Sequence, residues 1–247
     1  MDKVFPNPEE AVADVPDGAS IALGGFFTCG NPVVLTEALA KQGAKNLTII
    51  AMCLGVGNWE LNLLINNHQV KKGICNYPFA RSVSKESLFE IQLKAGEVTA
   101  ELYPMGTFVE KLRAGGAGLG AFYTPTGAGT VVAEGKEIRI IEGKEYLLEF
   151  ALKPDYAFIH AWKADTMGNL VFRKTAQNYN PEMAKAARIT IVEAENIVEP
   201  GDLDSDSIHL PGIYVNRIVK IERPVVLIGI DGADENPAAG NDRLREG

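Results

Sequence analysis

Asp17-Gly18-Ala19-Ser20-Ile21-Ala22-Leu23-Gly24-Gly25-Phe26-Phe27-Thr28-Cys29-Gly30-Asn31-Pro32 is a short apolar run that breaks into a glycine pair and then meets Gly30 and Pro32. Ile21–Leu23 reads as a buried strand. Gly24 and Gly25 carry no Cβ, so their backbone N–H groups stay open to a close approach by a ligand. Pro32 suits the first turn of a following helix, with Asn31 placed to cap it. Strand, glycine loop and helix start form the unit with which an open α/β sheet holds ligands beyond the carboxyl ends of its strands. A plain tight turn explains the same glycines without a ligand.

Outward from this unit the alternation continues. The pattern predicts a helix from Val33 to Lys41 that Gly43 stops, and a strand over Leu47–Ala51. A short helix at Glu60–Ile65 follows, and then a third strand that starts at Gly73–Cys75. Ser84 is read as the cap of a helix running to Ala95, with Gly96 at its end. Val98–Tyr103 is the next strand, and Thr107 is read as the cap of a helix that stops at Gly115-Gly116. Such βαβα order predicts an α/β fold, an open and mostly parallel sheet with helices on both faces.

The rhythm changes after Gly120. Lys136–Ile141 and Lys144–Phe150 are β-rich and meet at Glu142-Gly143, which predicts a hairpin and hence an antiparallel β insert. Strands are then expected at Tyr156–Trp162, Leu170–Phe172 and Ile189–Val192, with a helix at Pro181–Ala187. One domain over residues 1–230 is expected, with Asp231–Gly247, polar and rich in charge, as a flexible tail.

The chain has 247 residues, of which 46% are hydrophobic, enough for a sizeable core. Its net charge of −8 argues against a nucleic-acid partner, because no basic stripe exists to neutralise phosphates. No apolar run approaches the roughly 18–20 residues a membrane helix needs. Met1–Pro6 lacks the apolar core of a signal peptide, so a cytoplasmic protein is expected. Cys29, Cys53 and Cys75 form no Cys-x-x-Cys pair and read as reduced thiols.

Two further segments bear on ligands. Ala114–Thr130 is dense in glycine yet carries Ala121-Phe122-Tyr123 at its middle. It reads as a buried strand edge between two glycine turns, or as a structural loop. Ala161–Leu170 contains turn chemistry at Asp165–Asn169, flanked by Lys163 and then by Arg173 and Lys174. Those cations suit a phosphate or carboxylate, or simply solvent.

The familiar catalytic motifs are missing from the sequence. It has no Gly-Lys-Ser/Thr phosphate loop, no Gly-x-Gly-x-x-Gly fingerprint and no Gly-x-Ser-x-Gly elbow. His68, His160 and His209 have no metal-ligand spacing, so no metal is expected. What remains is a ligand-cradling α/β protein without an evident catalytic nucleophile.

Together these segments resemble the α subunit of family I, 3-oxoacid type CoA-transferases. The resemblance runs from about Val4 to Lys220. It is carried by Asp17-Gly18, Gly24-Gly25-Phe26, Gly30 and Pro32. Arg113-Ala114-Gly115-Gly116-Ala117-Gly118, Ala121–Gly127 and Gly129-Thr130 add to it, as do Lys163-Ala164-Asp165, Gly168-Asn169, Arg173-Lys174 and Pro211–Val215.

The resemblance implies an open fold of the kind shared with sugar-phosphate isomerases and deaminases (NagB-like). It also implies a glutamate nucleophile on a β subunit within Ser-Glu-Asn-Gly, a tetrapeptide this chain lacks, and an α2β2 assembly. Coenzyme A thioester is then a substrate, and no cofactor is permanently bound. The expected cleft residues here are Gly24, Gly25, Phe26, Gly30, Met52, Cys53, Met105, Gly106, Lys163 and Arg173.

Two positions depart from the family pattern. Met105 stands where a Gln is frequent, and Met52-Cys53 where an Asn pair is frequent. If they face the substrate, the acid pocket is more apolar than in relatives with amides. An isomerase or deaminase on a related fold, and a non-catalytic acyl-CoA-binding module, are the alternatives. The first needs an acid/base pair within the chain.

Overall fold

The computed structural model describes residues 3–54, 59–79 and 86–222. The expected cap Ser84 and the expected tail 231–247 lie outside them. In chain order the elements are β1 (Val4–Phe5), α1 (Pro8–Val12), β2 (Ser20–Leu23), α2 (Val33–Gln42), β3 (Leu47–Ile50), α3 (Trp59–Asn66), β4 (Val70–Cys75), α4 (Leu88–Lys94), β5 (Thr99–Leu102) and α5 (Met105–Gly116). There follow β6 (Ala121–Thr124), β7 (Ile138–Ile141), β8 (Lys144–Phe150), β9 (Tyr156–Asp165), β10 (Leu170–Val171), α6 (Asn180–Ala186), β11 (Ile189–Val198) and β12 (Arg217–Lys220).

The main sheet runs β1-β12-β11-β9-β2-β3-β4-β5. Every neighbouring pair along that path is parallel, and β10 adds an antiparallel ribbon to β9. The chain builds outward from β2 to β5, leaves the sheet, and returns as β9 on the other side of β2. The seam between β2 and β9 is therefore the point where strand order reverses. A parallel sheet opens a crevice there, at the carboxyl ends of its strands.

Strand alternation explains why both faces are covered. Ile21, Leu23, Ile49, Phe158 and Ile191 join one apolar cluster with Leu35 and Leu39 of α2, Leu61, Leu64 and Ile65 of α3, and Phe89 of α4. Their neighbours Ala22, Ile50, Ala157, Ile159 and Val192 join the other, with Phe108 and Leu112 of α5 and Met183 of α6. Period two sends adjacent residues to opposite faces, so a strand buried on both reads as a continuous apolar run. Each fully buried Leu, Ile or Phe contributes about 1.5–3 kcal/mol.

The predicted hairpin is present. β7 and β8 pair antiparallel around Glu142-Gly143, and β6 completes a separate three-stranded sheet. β6 is an edge strand, as expected, but it is half-buried rather than buried. An ion pair fastens this sheet to α5. Lys111 Nζ donates to Glu149 Oε2 at 3.0 Å, with side chains 5% and 3% exposed, and Lys136 takes the other oxygen.

Three caps differ from the expected ones. α4 is capped by Ser87, whose hydroxyl accepts from Glu90 N–H while the Glu90 side chain accepts from Ser87 N–H. That is a capping box, a stronger arrangement than a lone serine. α5 starts at Met105 behind Pro104, so Thr107 lies inside the helix and is not its cap. α2 begins after Pro32, and Asn31 does not cap it; the Asn31 amide donates to Phe27 O at 2.8 Å instead. Gly43 does end α2, at φ 89°, a conformation that suits glycine.

Candidate functional site

The glycine loop after β2 lies on the β2–β9 seam. Gly24 N–H donates to Phe158 O at 2.9 Å, so the chain leaves β2 pinned to β9. Phe26 and Cys29 then exchange both backbone hydrogen bonds at 3.0 Å, closing a tight turn. Phe27 at the tip has φ 51°, an unfavourable angle for a bulky residue.

The glycines of this loop serve contact with the protein itself. A Cβ on Gly24 would stand 1.8 Å from Asn180 Oδ1, one on Gly25 2.1 Å from Asn31 Oδ1, and one on Gly30 2.9 Å from Ala176 O. The space freed by the missing side chains is thus filled by amides and backbone. Asn180, fully buried at the start of α6, accepts from His160 N–H at 3.2 Å and donates to Gly30 O at 3.0 Å and Ala176 O at 2.8 Å. Asn178 Nδ2 donates to Cys29 O at 3.0 Å, and Cys29 Sγ lies 3.2 Å from Thr175 Oγ1. The glycine loop is laced to the segment 173–180 along its length.

Aromatic rings line the same edge. Phe26 stacks on Tyr179 at 6.2 Å between centroids, and Tyr179 meets Phe108 edge-on at 5.9 Å. Burial pushes the Tyr179 phenol up to about 12, so it is a neutral donor, and its hydroxyl reaches Asn76 Oδ1 at 3.4 Å. Asn76 in turn donates to Tyr103 O at 2.9 Å, which joins the ends of β4 and β5.

The remaining expected cleft residues separate into three groups. Met52 and Cys53, at 3% and 1% exposure, pack in the core beside Ile74 and Phe108. Their side chains fill the interior. Met105 at the start of α5 is 48% exposed, and Gly106 beside it faces open space. Lys163 lies 4.4 Å over the Trp162 ring, and Arg173 Nη2 is 3.3 Å from Glu195 Oε1.

Asp165 is a turn residue. It accepts from the N–H groups of Met167 and Asn169 at 3.0 and 2.9 Å. Gly115 and Gly116 lie against Leu152 O and the Lys185 backbone, so their lack of a side chain lets α5 approach its neighbours.

One constellation has no counterpart among the motifs of the sequence. His160 Nδ1 is 2.9 Å from Glu193 Oε1, and its Nε2 is 3.2 Å from Glu195 Oε1. Glu193 Oε2 also accepts from Leu35 N–H at 3.0 Å, in the first turn of α2. The strand expected to end at Val192 runs on, as β11, to Val198. A histidine within the apolar run Tyr156–Trp162 is the one signal the sequence offers. Its partners are far off in sequence and meet it through the β9–β11 register, which pairs Glu193 with His160. Among the described residues, no group of three or more His, Cys, Asp or Glu is arranged to hold a metal ion.

Sheet order, switch point and glycine loop define an open α/β protein, a class that holds ligands beyond the carboxyl ends of its strands. Residues 5–221 match the family model described as Coenzyme A transferase, and the chain belongs to that family. It is similar to the A subunit of succinyl-CoA:3-ketoacid coenzyme A transferase from Xanthomonas campestris pv. campestris (strain B100), with 50% identity over 218 residues, 88% of each chain. The Helicobacter pylori (strain J99) protein of the same description is 48% identical over 223 residues, covering 90% of this chain and 94% of its own. The crystal structure of glutaconate coenzyme A-transferase from Acidaminococcus fermentans superposes with a TM-score of 0.73 at 25% identity, over 88% of this chain and 75% of that one. The chain is accordingly an enzyme chain of the CoA-transferring class.

Proposed function

We propose that this chain is the α subunit of an acyl-CoA:carboxylate CoA-transferase of the 3-oxoacid type. It works in the cytoplasm in an α2β2 assembly with a β subunit carrying Ser-Glu-Asn-Gly. One observation carries the reading above others: relatives about half identical over nearly the whole chain are described as the A subunit of succinyl-CoA:3-ketoacid coenzyme A transferase. Succinyl-CoA and a 3-keto acid are therefore the first substrate pair to try.

The chemistry is covalent catalysis by a carboxylate. The partner's glutamate attacks the thioester carbonyl, the C–S bond breaks, and CoA thiolate leaves behind a mixed anhydride. The thiolate then attacks the glutamyl carbonyl and expels the donor acid as its carboxylate, leaving a glutamyl-CoA thioester. The acceptor acid reverses both steps and departs as the new acyl-CoA. Gly24, Gly25, Phe26 and Gly30 form this chain's wall of the cleft, with Met105 and Gly106 at its rim. Lys163 and Arg173 supply positive charge toward acid or CoA.

The alternative of an isomerase or deaminase on the related fold needs an acid/base pair open to substrate. The acid/base group found here, His160 with Glu193 and Glu195, is largely buried and engaged in hydrogen bonds within the protein, which speaks against that use. The test is steady-state kinetics of the reconstituted pair. Parallel double-reciprocal lines support the covalent route, and intersecting lines that demand a ternary complex count against it.

A further inference from the structure

His160 touches three separate parts of the candidate site. Its backbone N–H holds Asn180, the amide under Gly24 and Gly30. Its Nδ1 holds Glu193, whose other oxygen caps α2 at Leu35. No cap residue of α2 supplies a side-chain hydrogen bond, so Glu193 supplies one from across the sheet. Its Nε2 holds Glu195, which pairs with Arg173. One face of this junction carries the glycine loop into α2; the other carries the segment 173–180.

Both faces contain a residue in the left-handed region, Phe27 at φ 51° and Lys174 at φ 51°. Such backbone persists only where the surroundings over-determine it. A carboxylate oxygen faces each nitrogen of the one imidazole, and a ring nitrogen that meets a carboxylate oxygen does so best by donating. Arg173 pairs with the second carboxylate as well.

We propose that His160, donating through both ring nitrogens, is the positioning residue that fixes the glycine loop and the segment 173–180 relative to each other. This rests on the proposed CoA-transferase function, because the two walls matter to turnover only if they enclose reacting substrate.

The charged surroundings favour that state. Burial alone lowers the pKa of His160, but hydrogen bonds and charge from Glu193 and then Glu195 outweigh it and leave the pKa raised. From α2, Glu37 also senses Glu193, although burial is the main cause of its raised pKa and Lys41 opposes it. From β12, Lys220 Nζ donates to Glu195 O. From α6 the contact is the uncharged Asn180. A positioning role predicts that both walls loosen together as pH rises through the pKa of His160.

The experiment is hydrogen exchange on the full chain, alongside turnover with the partner subunit. His160→Gln should speed exchange in both 24–35 and 173–180 by about tenfold. Glu193→Gln should act on the first segment and Glu195→Gln on the second. Reconstituted His160→Gln should lose about 100-fold in kcat/KM, as small misplacements of reacting groups do. It should also lose the alkaline decline of the wild-type pH profile. If His160→Gln does not fold, the wild-type chain is followed from acid to alkaline pH after correction for intrinsic exchange, and both segments should loosen together. Exchange that changes in one segment only, or in neither, overturns the proposal, as does an unaltered pH profile in active His160→Gln. A wild-type pair that transfers no CoA refutes the functional reading instead, and exchange still decides the junction.

Discussion

The side-chain oxygen of Asn180 sits where Gly24 would carry a side chain, 1.8 Å from the position of a Cβ. Gly24→Ala must push Asn180 off Gly30 O and Ala176 O. Overpacking and the unmade hydrogen bonds together cost about 2–4 kcal/mol. Denaturant unfolding should show that loss. In an Asn180→Ala background the same substitution should cost less than about 1 kcal/mol, since the clash is gone. Equal costs in both backgrounds would show that the two residues do not compete for space.

Glu149 is shared by the buried Lys111 and the more exposed Lys136, so removing the carboxylate strands the Lys111 charge. Glu149→Leu should lower stability by about 3–5 kcal/mol. Replacing both Lys111 and Glu149 with apolar residues of similar volume should recover most of it. The neighbouring pair Arg113–Glu110, half-exposed on the same helix, is the control. Arg113→Met should change stability by less than about 1 kcal/mol. Thermal melts of the variants rank the two.

Acid stability should depend on Ser20. Its hydroxyl and N–H both donate to Asp155 Oδ2, at 2.6 and 2.9 Å. These bonds, the hydroxyl's first, hold the carboxyl below its ordinary value. A depressed carboxylate contributes stability above its unfolded pKa and loses it as pH falls through the folded one. Ser20→Ala should therefore narrow the stability gap between pH 7 and pH 3 and raise the midpoint of acid unfolding. A midpoint that stays in place would remove Asp155 from the acid response.

Substrate choice separates Met105 from Met52. Met105 is half-exposed at the start of α5, so if it borders the cleft as proposed, Met105→Gln offers an amide to a second carboxylate. The ratio of kcat/KM for succinate over a four- to six-carbon monocarboxylate should rise about tenfold. Met52→Asn places an amide in the core, where it costs about 1–3 kcal/mol of stability. Its substrate ratio should not move. A ratio insensitive to Met105→Gln would mean that this side chain plays no part in selectivity.

What the sequence discloses follows the range of the forces involved. Ile21–Leu23, Leu47–Ala51 and Tyr156–Trp162 are apolar runs set off by glycine or proline, so the parallel sheet is legible. The glycine loop is legible too, at the end of β2 and beside the point where strand order reverses. Its packing is not, because Asn180 lies 150 residues from Gly30 and leaves no local spacing. Glu193 and Glu195 look like the end of a strand because they are charged; His160 makes them tolerable in its interior. Ser84 and Ser87 compete as caps by residue type alone, and only Ser87-x-x-Glu90 completes the capping-box pattern. Thr107 misleads because proline, which fixes its own backbone angle, starts a helix without a side-chain cap.

In the proposed function this chain is one half of a CoA-transferase whose nucleophile lies on the other half. The direct measurement is to incubate purified chain, purified partner and the reconstituted pair with succinyl-CoA, then locate bound CoA by mass spectrometry and assay transfer to a 3-keto acid. No transfer by this chain alone, turnover by the pair, and a CoA adduct only on the partner's Ser-Glu-Asn-Gly glutamate are expected. Robust transfer by the single chain, or an adduct on its own Cys29 or Cys53, would contradict the proposed function.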